Sequence, residues 1–182
     1  EEVKTIKEIF PQSKVYLRFD ARKETFLSQV KDAKIVHLAT HGYLKSDPRK
    51  SYIVLAPPMV GNLTVREIAG TVEFNDSIEL VTLSACDTAV EDWENDFTLA
   101  GRGIMSVSRA FAEAGSPTLI ATLWPVADES TKEVMKNFYM ILSSKKYNKS
   151  KCLQQAQLVL INSIKYSHPF FWAPFVLYGD WR

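Results

Sequence analysis

KIVHLATHG (Lys34–Gly42) and IELVTLSACDTA (Ile78–Ala89) are the stretches whose reading decides the fold. Each opens on a short apolar run rich in β-branched residues and leucine, then breaks into small and polar residues. TLIATL (Thr118–Leu123) has the same character. All three read as strands, and IELVTLSA and TLIATL as strands buried on both faces at the centre of a parallel sheet covered by helices. The intervening segments supply the helices. KETFLSQVKD (Lys23–Asp32) reads as one, and in GRGIMSVSRAFAEAGSP (Gly101–Pro117) Ile104, Val107, Ala110, Phe111 and Ala114 share a helical face, with Gly115 and Pro117 as a stop. Asp128 or Ser130 is expected to cap a helix over TKEVMKNFYMILSS, and Ser150 to open another through Cys152, Ala156, Val159 and Leu160. KVYLRF (Lys14–Phe19), the β-rich SYIVLA (Ser51–Ala56) and FVLYG (Phe175–Gly179) read as further strands. This strand–helix alternation predicts an α/β domain with a mostly parallel central sheet.

In open parallel sheets, reactive groups collect beyond the carboxyl ends of the strands. KIVHLAT leads directly into His41, and IELVTLSA directly into Cys86. If those strands are parallel neighbours, imidazole and thiol emerge at one edge. That pairing suits nucleophilic catalysis, because the thiolate is the reactive form and an adjacent imidazole takes the thiol proton and later protonates the leaving amine. Gly42 leaves room for a substrate carbonyl, so its N–H and that of Cys86 are candidate oxyanion donors. Ordinary readings compete. A free cysteine is most often a small core residue, and Cys152, on an amphipathic helix beside Leu153 and Ala156, fits that role. Cys86 departs from it by ending a buried strand at a polar turn. On an extended strand, His37 and His41 stand about 13 Å apart, too far to share a metal ion; His37 is assigned to the core. His168, ahead of Pro169, is assigned to packing or capping.

The bulk numbers bound what else is possible. With 182 residues and 46% hydrophobic content, the chain suits one domain over residues 1–182 with a sizeable core. A net charge of +1 gives no footprint for nucleic acid or an acidic membrane surface. Two distant cysteines argue against a disulfide framework and for a reducing, cytoplasmic setting. No apolar run has the length of a membrane-spanning helix, and the opening EEVKTIKEIF lacks the layout of a signal peptide. The start at Glu1 without an initiator Met is expected to mark a piece of a longer protein. Nine acids between Glu67 and Asp96 bracket Cys86 in sequence, either as a solvated face or as a cleft preferring a basic peptide. The segment DTAVEDWENDFTLAGRG reads as a long loop without periodicity, in which Trp93 and Phe97 either line a substrate groove or tie the loop down.

VHLATHG, then LVTLSACDTA, then AGRGIMSVSRAFAEAGSPTLIATLWPVAD, and finally HPFFWAPFVLYGDW resemble, in order and spacing, the successive blocks of a CHAT domain. The resemblance implies a caspase-like three-layer α/β/α sandwich with a mostly parallel central sheet, related to caspases and separase. It places the family's catalytic histidine on His41 and its cysteine on Cys86. LWPVAD resembles a separase-like segment in which an acid binds a basic side chain, making Asp128 a candidate substrate-binding residue with Asp87 as its rival, and implying cleavage after Lys or Arg. An Asp-directed specificity would want an arginine-lined pocket, for which nearby Arg102 and Arg109 make no case. The implied function is a cysteine endopeptidase acting on a specific protein substrate. It would be regulated by an attached sensor, such as tetratricopeptide-type repeats, or by a partner, and several such proteins serve prokaryotic defence. No metal or organic cofactor is implied. A non-catalytic interaction module on the same fold is the principal alternative, and a cysteine acyltransferase a third.

Overall fold

The computed structural model describes residues 1–43, 47–56, 61–84 and 97–182, with the backbone alone at Pro48 and 97–102. The helices are α1 (Glu2–Ile9), α2 (Lys23–Gln29), α3 (Val65–Thr71), α4 (Phe97–Glu113), α5 (Asp128–Ser143) and α6 (Lys149–Ile161). The strands are β1 (Ile35–Ala39), β2 (Gly42–Tyr43), β3 (Tyr52–Val54), β4 (Asn62–Thr64), β5 (Leu80–Ser84), β6 (Thr118–Thr122) and β7 (Phe175–Gly179). Among the described residues they form a four-stranded sheet in the order β1-β5-β6-β7 and a three-stranded sheet β2-β3-β4. β1, β5 and β6 run parallel and β7 antiparallel, so the central sheet is mostly parallel, as predicted.

Alternation along the strands builds two cores. Val81, Leu83, Leu119 and Ala121 turn to one face, where Ile68 of α3 and Ile104, Val107 and Phe111 of α4 cover them. Leu80, Ile120 and Phe175 turn to the other, against Ile6 of α1, Val134, Met135, Phe138 and Tyr139 of α5, and Cys152 and Leu160 of α6. The result is a three-layer α/β/α sandwich. Every residue of β5 and β6 is buried, and each large apolar side chain buried there contributes about 1.5–3 kcal/mol. At the end of β7, Gly179 has φ +90, and a Cβ there would lie 2.1 Å from the Pro117 carbonyl oxygen, so only glycine fits.

The structure corrects several local expectations. KVYLRF is not a strand: Leu17 is extended, but residues Arg18–Asp20 form a 3-10 turn and the segment joins neither sheet. SYIVLA does contribute a strand, three residues long, which lies in the small antiparallel sheet. α4 begins at Phe97, inside the stretch read as loop. The α5 cap is Ala127, without a side-chain cap bond, and Ser130 donates its hydroxyl back to the Ala127 carbonyl at 2.9 Å. Asn148, not Ser150, caps α6 by accepting from the Lys151 amide at 2.9 Å. α3, unread in the sequence, starts on a capping box in which the Glu67 amide donates to Thr64 Oγ1 at 3.2 Å and the Thr64 amide to Glu67 Oε2 at 2.9 Å.

Candidate active site

Of the predicted site residues, His41 and Gly42 follow the carboxyl end of β1. β1 and β5 pair in the register Ile35↔Leu80 through Ala39↔Ser84. One step past the strands the Thr40 amide donates to the Ser84 carbonyl at 3.3 Å. The chain then crosses into the small sheet, where the Val54 amide donates to the His41 carbonyl at 2.8 Å and the Thr40 hydroxyl donates to the Val54 carbonyl. His41 is therefore clamped through its backbone on both sides of the junction, with its residue exposed at the edge.

Gly42 follows, buried and opposite Ile53. Because the neighbouring His41 carbonyl takes the ladder bond, Gly42↔Ile53 is a non-hydrogen-bonded antiparallel pair, and the Gly42 N–H points away from β3. Asp128, the first residue of α5, lies at the same edge because α5 begins just beyond the carboxyl end of β6. It is exposed and has no ion-pair partner among the described residues. Its neighbour Glu129 is committed elsewhere: Lys165 donates to its Oε2 at 2.5 Å and the Tyr166 hydroxyl at 3.1 Å, and these bonds hold the Glu129 carboxyl below its ordinary range. Cys86, Asp87 and Trp93 lie outside the described residues.

The acidic run brackets Cys86 in sequence, but its described members are elsewhere in space. Asp76 and Glu79 precede β5 and so sit at the amino end of a strand about 16 Å long, Glu73 pairs with Lys31 at 3.3 Å, and Glu67 is held by Lys23 and its capping box. The assigned core histidine is in place. The His37 side chain is 9% exposed; the Tyr139 hydroxyl donates to Thr82 Oγ1 at 2.8 Å, so His37 Nδ1 donates to the Tyr139 oxygen at 3.0 Å. His37 Nε2 approaches Glu2 Oε1 at 2.9 Å without hydrogen-bond alignment. His168 caps a 3-10 turn by accepting from the Phe170 amide at 3.2 Å, and Cys152 is fully buried. No group of metal-ligating side chains occurs among the described residues.

Sequence reasoning missed the residues that hold the edge together. Trp124 Nε1 donates to the Phe170 carbonyl and the Leu123 amide to the Pro174 carbonyl, both at 3.0 Å, while Gln157 Nε2 donates to the carbonyls of Trp172 and Phe175, each at 3.0 Å. The first two bonds sew LWPVAD to HPFFWAPF, and Gln157 ties the latter to α6. The aromatic density of HPFFWAPF was the available signal.

The CHAT domain family model matches residues 1–180. The chain belongs to the CHAT domain family. CHAT domains are caspase-like and related to the clan CD cysteine peptidases, and the mostly parallel sheet between two helical layers agrees with that relationship. The CHAT domain described here is 28% identical over 191 residues to human (Homo sapiens) tetratricopeptide repeat protein 28, covering 88% of this chain and 8% of that protein. It is 29% identical over 198 residues to the mouse (Mus musculus) protein of the same name, with the same coverage of each. The chain thus spans 8% of the length of these curated relatives. No helix among the described residues is long and apolar enough to cross a membrane.

Proposed function

We propose that residues 1–182 act as one CHAT peptidase domain of a longer protein, a cysteine endopeptidase with His41 and Cys86 as its dyad. The observation that carries the reading is the parallel register Ala39↔Ser84, closed by the Thr40 amide on the Ser84 carbonyl. His41 and Cys86 each follow that pair by two residues in sequence. Two residues of chain reach at most about 7 Å, and paired strands lie about 4.8 Å apart, which supports a thiol and an imidazole leaving one edge together. In the proposed reaction His41 takes the Cys86 thiol proton as sulfur attacks the scissile carbonyl carbon. The N–H groups of Gly42 and Cys86 stabilise the oxyanion. Collapse of the intermediate breaks the C–N bond, His41 returns the proton to the leaving amine, and water hydrolyses the thioester. No metal or cofactor takes part.

Asp128, exposed and without an ion-pair partner among the described residues, receives the Lys or Arg side chain that precedes the cut, with Asp87 as rival and Trp93 lining the groove. The natural substrate is one specific cytoplasmic protein. The tetratricopeptide name of the relatives supports repeats of that type, or a partner carrying them, as the regulatory sensor. Turnover of Lys- or Arg-containing peptides that vanishes in Cys86→Ala, and falls at least tenfold in Asp128→Asn for basic substrates only, is the expected result. Binding of such peptides without turnover, unchanged in Cys86→Ala, would instead establish an interaction module.

A further inference from the structure

Four side chains form a buried polar line across one face of the central sheet: Glu2 of α1, His37 of β1, Tyr139 of α5 and Thr82 of β5. The face around them is apolar, with Ile6, Leu80, Met135 and Phe138. The direction of each hydrogen bond follows from the one at the far end. The Tyr139 hydroxyl donates to Thr82, so its oxygen accepts from His37 Nδ1, which must carry a hydrogen. Tyr139 keeps its own proton, because burial pushes the phenol well above the ordinary range. That leaves His37 Nε2 facing Glu2 Oε1 at 2.9 Å, both atoms buried and neither with another hydrogen-bond partner. With the hydrogen on Nδ1, a neutral imidazole presents a lone pair at Nε2. A lone pair held against a carboxylate away from water is repulsive and leaves two buried polar atoms unsatisfied. With a proton between them, the same separation is that of a charge-assisted bond.

We propose that Glu2 and His37 share one proton between Oε1 and Nε2, and that this proton latches the first turn of α1 onto β1. Among the described residues the titratable groups facing His37 are Glu2 on α1 and Tyr139 on α5, and β5 presents the neutral Thr82 hydroxyl. With Tyr139 fixed as a neutral group, the occupancy of the proton is set by Glu2 and His37. The contact holds a proton that the separated pair gives up, so its contribution is present at low pH and is lost as pH rises. The rest of α1 is held without it: Ile6 is buried, and the Phe10 ring stands edge-on to Tyr139 at 5.9 Å. Loss of the proton therefore frees the turn around Glu2 and leaves the remainder of the helix in place. The latch ties α1 to β1 and β5, the strands that lead into His41 and Cys86, and requires nothing of either residue.

The test is residue-resolved amide hydrogen exchange between about pH 5 and pH 8, the range over which an imidazole changes charge, expressed as protection factors so that the pH dependence of exchange itself is removed. The Thr5 amide, which donates to the Glu1 carbonyl at 3.1 Å, reports the first turn, and the Phe10 amide, which donates to the Ile6 carbonyl at 2.9 Å, reports the far end of α1. Thr5 protection should fall about tenfold from the lower pH to the higher, as expected for the loss of one bond to a charged group, while Phe10 protection holds. In Glu2→Gln the side-chain N–H can donate to Nε2 without a shared proton, so Thr5 should stay protected at both ends of the range. The proposal is overturned if Thr5 protection in the wild type does not change with pH, if it falls equally in Glu2→Gln, or if Glu2→Gln leaves Thr5 unprotected throughout.

Discussion

The Thr40 amide donates to the Ser84 carbonyl at 3.3 Å, and the same residue's hydroxyl donates to the Val54 carbonyl. Thr40 thereby ties the end of the central sheet to the small sheet at the residue before His41. Thr40→Val keeps the shape and the amide bond but removes the hydroxyl bond, a loss of about 0.5–1.5 kcal/mol. Measured where both proteins are fully folded, peptide turnover should fall about tenfold, the rate equivalent of 1.4 kcal/mol in transition-state stabilisation. Unchanged turnover in a variant destabilised by the loss of that bond would show that the clamp serves folding alone.

Tyr139 is fully buried, and its hydroxyl links Thr82 of β5 to His37 of β1. Burial pushes its phenol well above the ordinary range despite the bond to Thr82, so it remains a neutral donor. Tyr139→Phe strands two buried polar partners, and urea denaturation should show a loss of about 1–3 kcal/mol with an unchanged m-value.

Burial works to raise the Glu67 carboxyl, but Lys23 and the Thr64 amide and hydroxyl outweigh it and hold it below the usual glutamate range. A carboxylate lowered on folding contributes stability above its unfolded pKa and loses it as pH falls through the folded one. The partly exposed ion pair adds little, so the cap carries most of the effect. Glu67→Ala should cost about 1 kcal/mol at pH 7. Denaturation curves at pH 7 and pH 3 should show the difference between wild type and variant shrinking at the lower pH.

Cys152 is fully buried and burial raises its thiol, which makes it a poor nucleophile. Native protein should therefore take up iodoacetamide at Cys152 only on unfolding, as read by peptide mass analysis. Rapid native modification there would contradict the packing.

The strands were legible where tertiary context agrees with local sequence. β5 and β6 are buried on both faces, so their apolar runs leave no alternative, and FVLYG closes the sheet as β7. KVYLRF is also rich in β-formers but carries Lys14 and Arg18 and joins neither sheet, and without a ladder β-propensity does not make a strand. α3 is short, yet its Thr64-x-x-Glu67 box was a readable signal. Of the acidic run only Glu67, Glu73, Asp76 and Glu79 fall among the described residues, and a strand's length separates Glu79 from the carboxyl edge. The place of His41 and Gly42 just past a sheet strand was legible because they follow the apolar run of β1 directly, whereas the clamp from Thr40 to Val54 depends on a turn between two sheets that composition does not encode.

The most direct test of the central claim is covalent labelling by an acyloxymethyl ketone probe carrying Lys or Arg, with the modified residue identified by mass spectrometry. The account predicts labelling at Cys86, lost in Cys86→Ala, slowed about a hundredfold or more in His41→Ala, and weak with an Asp-bearing probe. Labelling at Cys86 that is indifferent to His41→Ala, or no labelling at Cys86 by any probe, would contradict it.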